Sequence, residues 1–209
     1  LAKLDHIATK LRLKPGQKVL DIGCGWGGMA LHLAECADVQ VTGITLSTEQ
    51  LAYARAEAEK RGLADRVRFE LRDYRDEQGS YDRIVSVGMF EHVGVPNYDT
   101  FFRCVRNLLA EDGIALVHSI VQMNPPQPTN PWLVKYIFPG GYCPAPSEVT
   151  ASVESSALWI TDMETLRLHY AETLRNWRKA FHAHWHEAAS LYDERFCRMW
   201  DFYLAGSEL

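Results

Sequence analysis

The chain has 209 residues, of which 47% are hydrophobic and 23% are charged, close to the averages for soluble globular proteins. This length suits one domain with an elaboration, and the composition excludes disordered, collagen-like and repeat classes. Lys and Arg number 22 against 27 Asp and Glu, a formal charge of −5 at pH 7, so no overall basic field exists for binding nucleic acid.

The sequence also bears on the cellular compartment. It has no basic leader followed by an apolar segment, and no apolar run near the ~20 residues of a membrane span, so we expect neither secretion nor membrane integration. Its five cysteines are scattered without C-x-x-C spacing, which is typical of reduced cytoplasmic proteins. Because the chain begins at Leu1 without Met and ends inside a helical pattern, we expect a fragment of a longer protein.

Strand patterns alternate with helical patterns along the first 121 residues. Five β units joined by helices predict a doubly wound, mostly parallel α/β sheet. One helix is expected to begin near Gly28, a second opens on the capping box from Ser47 to Gln50 and stops at Gly62, and a third spans 97–109. The predicted strands are 18–23, 40–45, 66–71, 81–87 and 113–121.

The pattern changes after residue 121. Residues 124–146 carry most of the nine prolines together with several aromatic residues, so we expect a lid or substrate loop over 122–150. Farther on, 158–168 predicts a sixth strand and 173–204 predicts two aromatic-rich helices, within a helical elaboration over 170–206. We expect the last strand that such a sheet normally has to be absent from this sequence.

A glycine-rich turn, Asp21-Ile-Gly-Cys-Gly-Trp-Gly-Gly28, lies between the first strand and the next helix. Its glycines let a ligand approach the backbone, and the helix N-terminus offers free N–H groups, so a nucleotide-like ligand is expected. The spacing also matches a dinucleotide fingerprint. Asp21 favours the cationic S-adenosylmethionine instead, and Thr45 ends the second strand where a dinucleotide fold has a carboxylate. A purely structural turn is the third interpretation.

Six stretches, in order along nearly the whole chain, form a more specific set. They are Val19–Gly28, Val41–Ser47 with Gln50, Arg83–Val87 with Phe90–His92, Leu116–Ile120, Tyr136–Gly141 and Tyr170–Leu174. The set resembles the cyclopropane fatty acid synthase family, including the mycolic acid modifying enzymes. This resemblance implies a single Rossmann-like methyltransferase domain over 1–209, of the seven-stranded type, without the family's N-terminal cap and last strand.

The resemblance also implies an activity. Such enzymes transfer the methyl group of S-adenosylmethionine to a cis double bond of a phospholipid acyl chain, and loss of a proton then closes a cyclopropane ring. A bound bicarbonate is the implied base. Its implied ligands are Glu91, His118, the backbone of Ile120 and Tyr170, with a Cys from a segment that precedes the first strand and is not in this sequence.

The residue types themselves support a site. Glu91 and His118 follow the fourth strand and end the fifth, so both belong to the carboxyl edge of the sheet, where they could position a small hydroxy acid as base. A Glu91–His118 surface pair, or a core histidine, is the alternative. Tyr170 could face a sulfonium or carbocation, or simply pack in the core at a strand end.

Ten residues are predicted to hold the methyl donor. Asp73 is expected to accept a hydrogen bond from the adenine amino group, with an ordinary loop acid as the alternative. The His182–His186 run lacks a third ligand at suitable spacing, so we expect a solvated helix face and no metal site. The cofactor set is Asp21, Gly23, Cys24, Gly25, Gly27, Thr45, Leu46, Gln50, Asp73 and Tyr74.

The substrate is less sharply defined. Aromatic residues between Trp132 and Trp200 could wall an acyl tunnel or be ordinary core. A small-amine N-methyltransferase, in which Glu91 would hold a cationic substrate, and an inactive fragment both stay open. The expected partner is an unsaturated acyl phospholipid at the inner face of the plasma membrane, met by a cytoplasmic protein, with no nucleic acid and with a homodimer left open.

Overall fold

A five-stranded parallel sheet lies at the centre of the fold in the computed structural model, which describes residues 2–208. Leu1 and Leu209, the ends of the predicted domain, lie outside the described residues. The chain divides into two compact units: unit 1 is Leu1–Thr129 with Gly140–Trp159, and unit 2 is Asn130–Pro139 with Ile160–Leu209. The single domain expected over 1–209 stays a prediction.

The sheet belongs to unit 1, and its order is β3-β2-β1-β4-β5. All four pairings are parallel, which confirms the predicted doubly wound α/β architecture. The chain returns from the β3 edge to pair β4 with β1, so β1 and β4 flank the point where the strand order reverses, the usual ligand position in open α/β sheets. The strands are β1 (Lys18–Ile22), β2 (Gln40–Thr45), β3 (Val67–Leu71), β4 (Tyr81–Val87) and β5 (Leu109–His118).

Two hydrophobic cores cover the two faces of the sheet. Val19 and Leu20 of β1 are fully buried in different cores, as the alternation of a strand requires. The first core includes residues of α1, α2 and α3, and the second includes residues of α4 with α6 packed against it. These helices are α1 (Ala2–Leu11), α2 (Gly28–Cys36), α3 (Thr48–Lys60), α4 (Tyr98–Leu108) and α6 (Pro146–Ser155).

The helix starts that were predicted around the sheet are confirmed. Helix α2 begins at Gly28, and the Ser47 hydroxyl accepts the backbone N–H of Gln50 at 3.2 Å to open α3. The predicted fifth strand, 113–121, was placed too late, because β5 begins at Leu109 and ends at His118. Its register with β4 is irregular between Tyr81 and Arg83, which accommodates extra residues before the regular pairing. Residue 120 therefore lies in the loop after the strand.

Helix α1 ends against a buried cation that the sequence did not indicate. Arg83 of β4 is only 5% exposed, and its guanidinium donates to the carbonyl oxygens of Leu11 and Arg12 at the end of α1. These carbonyls have no partner inside the helix, so the charged hydrogen bonds satisfy them. Arg83 thus attaches the first helix to the sheet.

Three predictions for the second half of the chain were wrong. Residues 158–168 form no strand, because none of the strand pairings among residues 2–208 includes them. Three helices replace the two expected over 173–204, and Tyr170 lies in the first turn of one of them instead of at a strand end. The lid or substrate loop expected over 122–150 contains α5 and the start of α6, and its role stays a prediction. The remaining helices are α5 (Pro131–Tyr136), α7 (His169–Ala183), α8 (Trp185–Leu191) and α9 (Glu194–Glu208).

Unit 2 consists of α5, α7, α8 and α9. Its small core is formed by Leu174, Tyr203 and Leu204, with aromatic residues such as Trp132 and Trp200 packed against it. Of the helices found in residues 2–208, none is both long enough and apolar enough to cross a membrane.

Candidate active site

The glycine turn after β1 combines an open side with a packed side. Gly23, Gly25 and Gly27 all adopt positive φ, at 74°, 55° and 84°. A Cβ added at Gly25 would meet nothing within 4 Å, whereas one at Gly27 would lie 2.7 Å from the Phe69 ring. The N–H of Gly23 donates to the Ile44 carbonyl at 3.0 Å, which fixes the turn against the end of β2. Open backbone at Gly25, beside the N-terminus of α2, is suited to a ligand.

Asp21, which precedes the turn, is a buried carboxylate with a free oxygen. It is 1% exposed, and its Oδ2 has no hydrogen-bond partner among the described residues. Burial raises the pKa of Asp21 to about 7, although a hydrogen bond with the Ala30 backbone opposes the shift. Burial and the charge of Asp21 also raise the pKa of the Cys24 thiol, which favours a packing role over a nucleophilic one. A cationic ligand beside Asp21 would offset its burial.

The end of β2 presents a hydroxyl, an amide and an apolar side chain. Thr45 is buried, and its hydroxyl donates to Gln50 Oε1 at 2.9 Å while accepting the backbone N–H of Ser47 at 3.2 Å. Leu46 is 72% exposed. The predicted cofactor residues Thr45 and Gln50 are therefore joined to each other, and Leu46 offers exposed apolar surface next to them.

The loop after β3 holds a fixed anion. The guanidinium of Arg75 donates to both carboxylate oxygens of Asp73, at 2.8 and 2.6 Å, and keeps the pKa of Asp73 below its ordinary value. The ring of Tyr74 contacts the edge of Phe101, with centroids 5.3 Å apart. Asp73 is thus ionised and held by Arg75. The sequence analysis predicted Asp73 as a cofactor residue but did not predict Arg75 as its partner.

Glu91 and His118 lie where predicted, at the ends of neighbouring strands. Glu91 is in a 3-10 helix, Phe90–His92, shortly after β4, and His118 is the last residue of β5. The Ile120 N–H donates to Glu91 Oε1 at 2.8 Å. Glu91 Oε2 and His118 Nδ1 are both buried without a hydrogen-bond partner in the described part of the chain. The burial of these two atoms argues against a Glu91–His118 surface pair. The Ile120 N–H, whose backbone the resemblance assigns to the bicarbonate, donates to the Glu91 carboxylate.

The protonation of His118 is influenced by a third residue, Lys3. Burial lowers the pKa of His118, the positive charge of Lys3 lowers it further, and Glu91 opposes the shift. The pKa of Lys3 is itself lowered by burial and raised by Glu91. At neutral pH the imidazole is therefore neutral, with one N–H donor and one acceptor nitrogen. Nothing in the sequence indicated Lys3, because it lies on α1, far along the chain from both residues.

Two aromatic residues near Glu91 were also missed. The Tyr98 ring stacks on Phe90 with centroids 4.4 Å apart, and its hydroxyl is buried without a partner among the described residues. The backbone N–H of Tyr142 donates to the Glu91 carbonyl at 2.9 Å. The only sequence signal for Tyr142 was the aromatic character of the predicted loop over 122–150, and Tyr98 lies outside that loop.

Tyr170, the last predicted catalytic residue, belongs to unit 2. Its ring contacts Trp177 edge-on, with centroids 6.3 Å apart, and packs against the small core of that unit. In the same unit His182 Nε2 lies 2.6 Å from Asp201 Oδ1, a hydrogen-bonded contact between two helices. Unit 1 thus brings Glu91, His118 and Ile120 together, whereas the role of Tyr170 stays a prediction.

Comparison with known sequences identifies a family over the full length. The family described as mycolic acid cyclopropane synthetase matches residues 1–209. Cyclopropane-fatty-acyl-phospholipid synthase of Escherichia coli K12 is 46% identical over 203 residues, covering 97% of this chain and 52% of that protein. A probable fatty acid methyltransferase of Pseudomonas putida is 40% identical, covering 98% of this chain and 54% of that one. The chain spans about half the length of these curated relatives.

Solved structures share the fold. The cyclopropane synthase MmaA2 from Mycobacterium tuberculosis superimposes with a TM-score of 0.90 at 33% identity, covering 99% of this chain and 77% of that one. A mycolic acid cyclopropane synthase complexed with SAH and CTAB gives a TM-score of 0.91 at 33% identity, with the same coverage of both chains.

Proposed function

The chain belongs to the mycolic acid cyclopropane synthetase family, and from this membership we propose that it is an S-adenosylmethionine-dependent methyltransferase. The proposed substrate is a cis double bond in an unsaturated acyl chain of a phospholipid, met at a membrane surface, and the proposed product is a cyclopropane ring. The observation that carries this proposal is that two buried atoms at the carboxyl edge of the sheet, Glu91 Oε2 and His118 Nδ1, have no hydrogen-bond partner among the described residues.

The fit of S-adenosylmethionine rests on the charge and space around the glycine turn. The ligand carries an ammonium and a sulfonium, and Asp21 supplies a buried carboxylate with a free oxygen. Gly25 leaves its side of the turn open, and Leu46 offers apolar contact at the end of β2. When bound, this cofactor supplies the methyl group as an electrophile. The chain's part is to hold it by Asp21, the turn, Thr45, Gln50 and the Asp73 loop.

The fit of a bicarbonate-type ion rests on complementary hydrogen bonding at the second site. A neutral His118 can donate to an oxyanion oxygen, and the free oxygen of Glu91 can accept the hydroxyl of the same ion. The Ile120 N–H holds Glu91 in place from its other oxygen. We propose that these groups position the ion as the base that takes the proton lost on ring closure. General-base catalysis of this kind accelerates a reaction by ~10²–10⁴-fold.

Unit 2 provides the surface proposed for the lipid. Its exposed aromatic and aliphatic side chains include Trp177, Leu191 and Phe202, which are between 50% and 78% exposed. Apolar side chains of this size favour contact with an acyl chain over water. Tyr170, in the same unit, is proposed to face the positive charge that develops on the substrate.

An amine N-methyltransferase is the second candidate. Coclaurine N-methyltransferase, solved with N-methylheliamine and SAH, superimposes on 99% of this chain with a TM-score of 0.83 at 27% identity. On this alternative Glu91 would bind a cationic substrate directly.

The Glu91→Gln variant tests the proposal. The protein and the variant are produced in a bacterium that lacks its own cyclopropane synthase, and its lipids are analysed by mass spectrometry. The wild type should add one methylene unit to monounsaturated chains, and Glu91→Gln should lose ~10²-fold or more in rate while binding S-adenosylmethionine normally. Glu111→Gln, an exposed acid on β5, is the matched control. Unchanged lipids together with methylated amines would support the second candidate, and full activity of Glu91→Gln would refute the assigned role.

A further inference from the structure

The turn that carries Glu91 is held from two sides. On one side the Tyr98 ring stacks on Phe90, the residue before Glu91, with centroids 4.4 Å apart. On the other side the backbone N–H of Tyr142 donates to the Glu91 carbonyl at 2.9 Å. A short 3-10 helix has few hydrogen bonds of its own, so such outside contacts determine its position. The second of them depends on where the Tyr142 backbone lies.

The Tyr142 backbone is itself held by its side chain. The Tyr142 hydroxyl reaches the Glu148 carboxylate, with its oxygen 2.9 Å from Oε2 and 3.1 Å from Oε1. Glu148 Oε2 also accepts the Ala145 N–H at 2.8 Å, so this carboxylate caps the start of α6 and closes the loop 142–148. A hydrogen bond to an ionised acceptor is stronger than a neutral one. The loop over Glu91 is therefore tied to the regular helix that follows it.

The surroundings show that this loop and Glu91 share one polar cluster. Burial and the negative charge of Glu91 raise the pKa of the Cys143 thiol, next in the chain to Tyr142. Burial raises the pKa of Tyr98, and the charges of Glu148 and Glu91 add to the effect. Each of these residues belongs to unit 1.

We propose that Tyr142 and Glu148 form a positioning pair that holds Glu91 in the orientation required at its site. The chain of contacts runs from Glu148 through the Tyr142 hydroxyl to the Tyr142 N–H and the Glu91 carbonyl, and ends at the bond between Glu91 Oε1 and the Ile120 N–H. Neither residue touches the reacting groups in this scheme. The effect of this pair on turnover rests on the proposed function, whereas its effect on the hydrogen bond between the Ile120 N–H and Glu91 does not.

Tyr142→Phe removes the hydroxyl and keeps the ring. We expect kcat for lipid methylation to fall about 10-fold, the factor that a lost hydrogen bond of about 1.4 kcal/mol represents, with KM for S-adenosylmethionine unchanged and the melting temperature lowered by only a few degrees. Hydrogen–deuterium exchange at the Ile120 amide should accelerate by a similar factor. Tyr192→Phe, on a tyrosine that is 68% exposed in unit 2, is the matched control and should change neither quantity.

Glu148 provides the second arm. Glu148→Ala should reproduce the loss, and Glu148→Gln should restore part of it because the amide oxygen still accepts a hydrogen bond. The double variant Tyr142→Phe/Glu148→Ala should be no slower than the slower single variant, since both remove one interaction. Normal kcat and normal Ile120 exchange in Tyr142→Phe would overturn the proposal. If Ile120 exchange is faster in Tyr142→Phe but the wild type methylates no lipid, the positioning pair is supported and the proposed function is refuted.

Discussion

At the residue scale, Asp21 shows how a binding site can cost stability. Its carboxyl pKa is about 7 in the folded chain against 3.8 in the unfolded one, because the ionised form is buried. Below pH 4 the buried Asp21 is protonated and does not lower the free energy of unfolding. This free energy falls as the pH rises from 4 to 7 and stays lowered above pH 7. A shift of this size corresponds to about 4 kcal/mol at full ionisation. Asp21 Oδ2 is buried without a hydrogen-bond partner among the described residues, so a cationic ligand beside it would offset this cost.

The Asp21→Asn variant separates these two effects. At pH 8, without cofactor, we expect its free energy of unfolding to exceed that of the wild type by about 1–3 kcal/mol, since a buried amide retains part of the polar cost. The difference should shrink towards zero near pH 4. Affinity for S-adenosylmethionine should fall at least ~10-fold, the equivalent of one weakened ionic contact. Denaturant titrations at the two pH values and calorimetry with the cofactor measure this. A variant less stable than wild type at pH 8 contradicts the account.

Single residues also show what sequence could and could not predict at the site. Glu91 and His118 were found because parallel strands end at one edge, a rule that needs no coordinates. Lys3, Tyr142 and Glu148 were missed, because their proximity to Glu91 depends on how a helix and a loop pack against the sheet. Such contacts follow from side-chain positions in space and have no fixed spacing along the chain.

At the element scale, the glycine turn combines binding and packing within five residues. We expect Gly25→Ala to lower S-adenosylmethionine affinity ~10-fold with a stability loss of about 1–2 kcal/mol, because its Cβ meets only open space but its φ is positive. Gly27→Ala should cost about 3 kcal/mol or more, because its Cβ would lie 2.7 Å from Phe69 and 2.9 Å from Ala54. Thermal unfolding and a binding titration of each variant check this. The opposite ranking of the two stabilities would show that the packed side has been assigned to the wrong glycine.

The strands and helices differ in how well the pattern predicted them. Buried β-branched runs and capping signals predicted β1 to β4 and the start of α2 and α3 to within a residue. The start of β5 was missed because a bulge against β4 breaks the simple alternation. Residues 158–168 have the composition of a strand but pair with no strand of the sheet. Composition alone does not make a strand, because strand preference depends on contacts with neighbouring strands. The strand pattern did not indicate that Arg83, a charged residue in a buried strand, donates to carbonyl oxygens at the end of α1.

At the scale of the whole molecule, family membership and chain length must be considered together. The family match covers residues 1–209, yet the chain spans only about half of its Escherichia coli relative. Unit 1 holds the glycine turn and the Glu91–His118 pair, and unit 2 holds Tyr170 and the exposed apolar residues. Unit 1 thus contains the groups proposed for methyl donor and base, so the donor and base sites can be tested in this chain directly.

The most direct test of the central claim is transfer of a labelled methyl group by the purified protein. S-adenosylmethionine carrying a trideuterated methyl group is mixed with vesicles of cis-monounsaturated phospholipid in bicarbonate buffer, and the lipid is analysed by mass spectrometry. The account predicts a labelled lipid that retains two of the three deuterons, because one is lost to the base on ring closure. Retention of all three deuterons, or label found only on added amines, would contradict it.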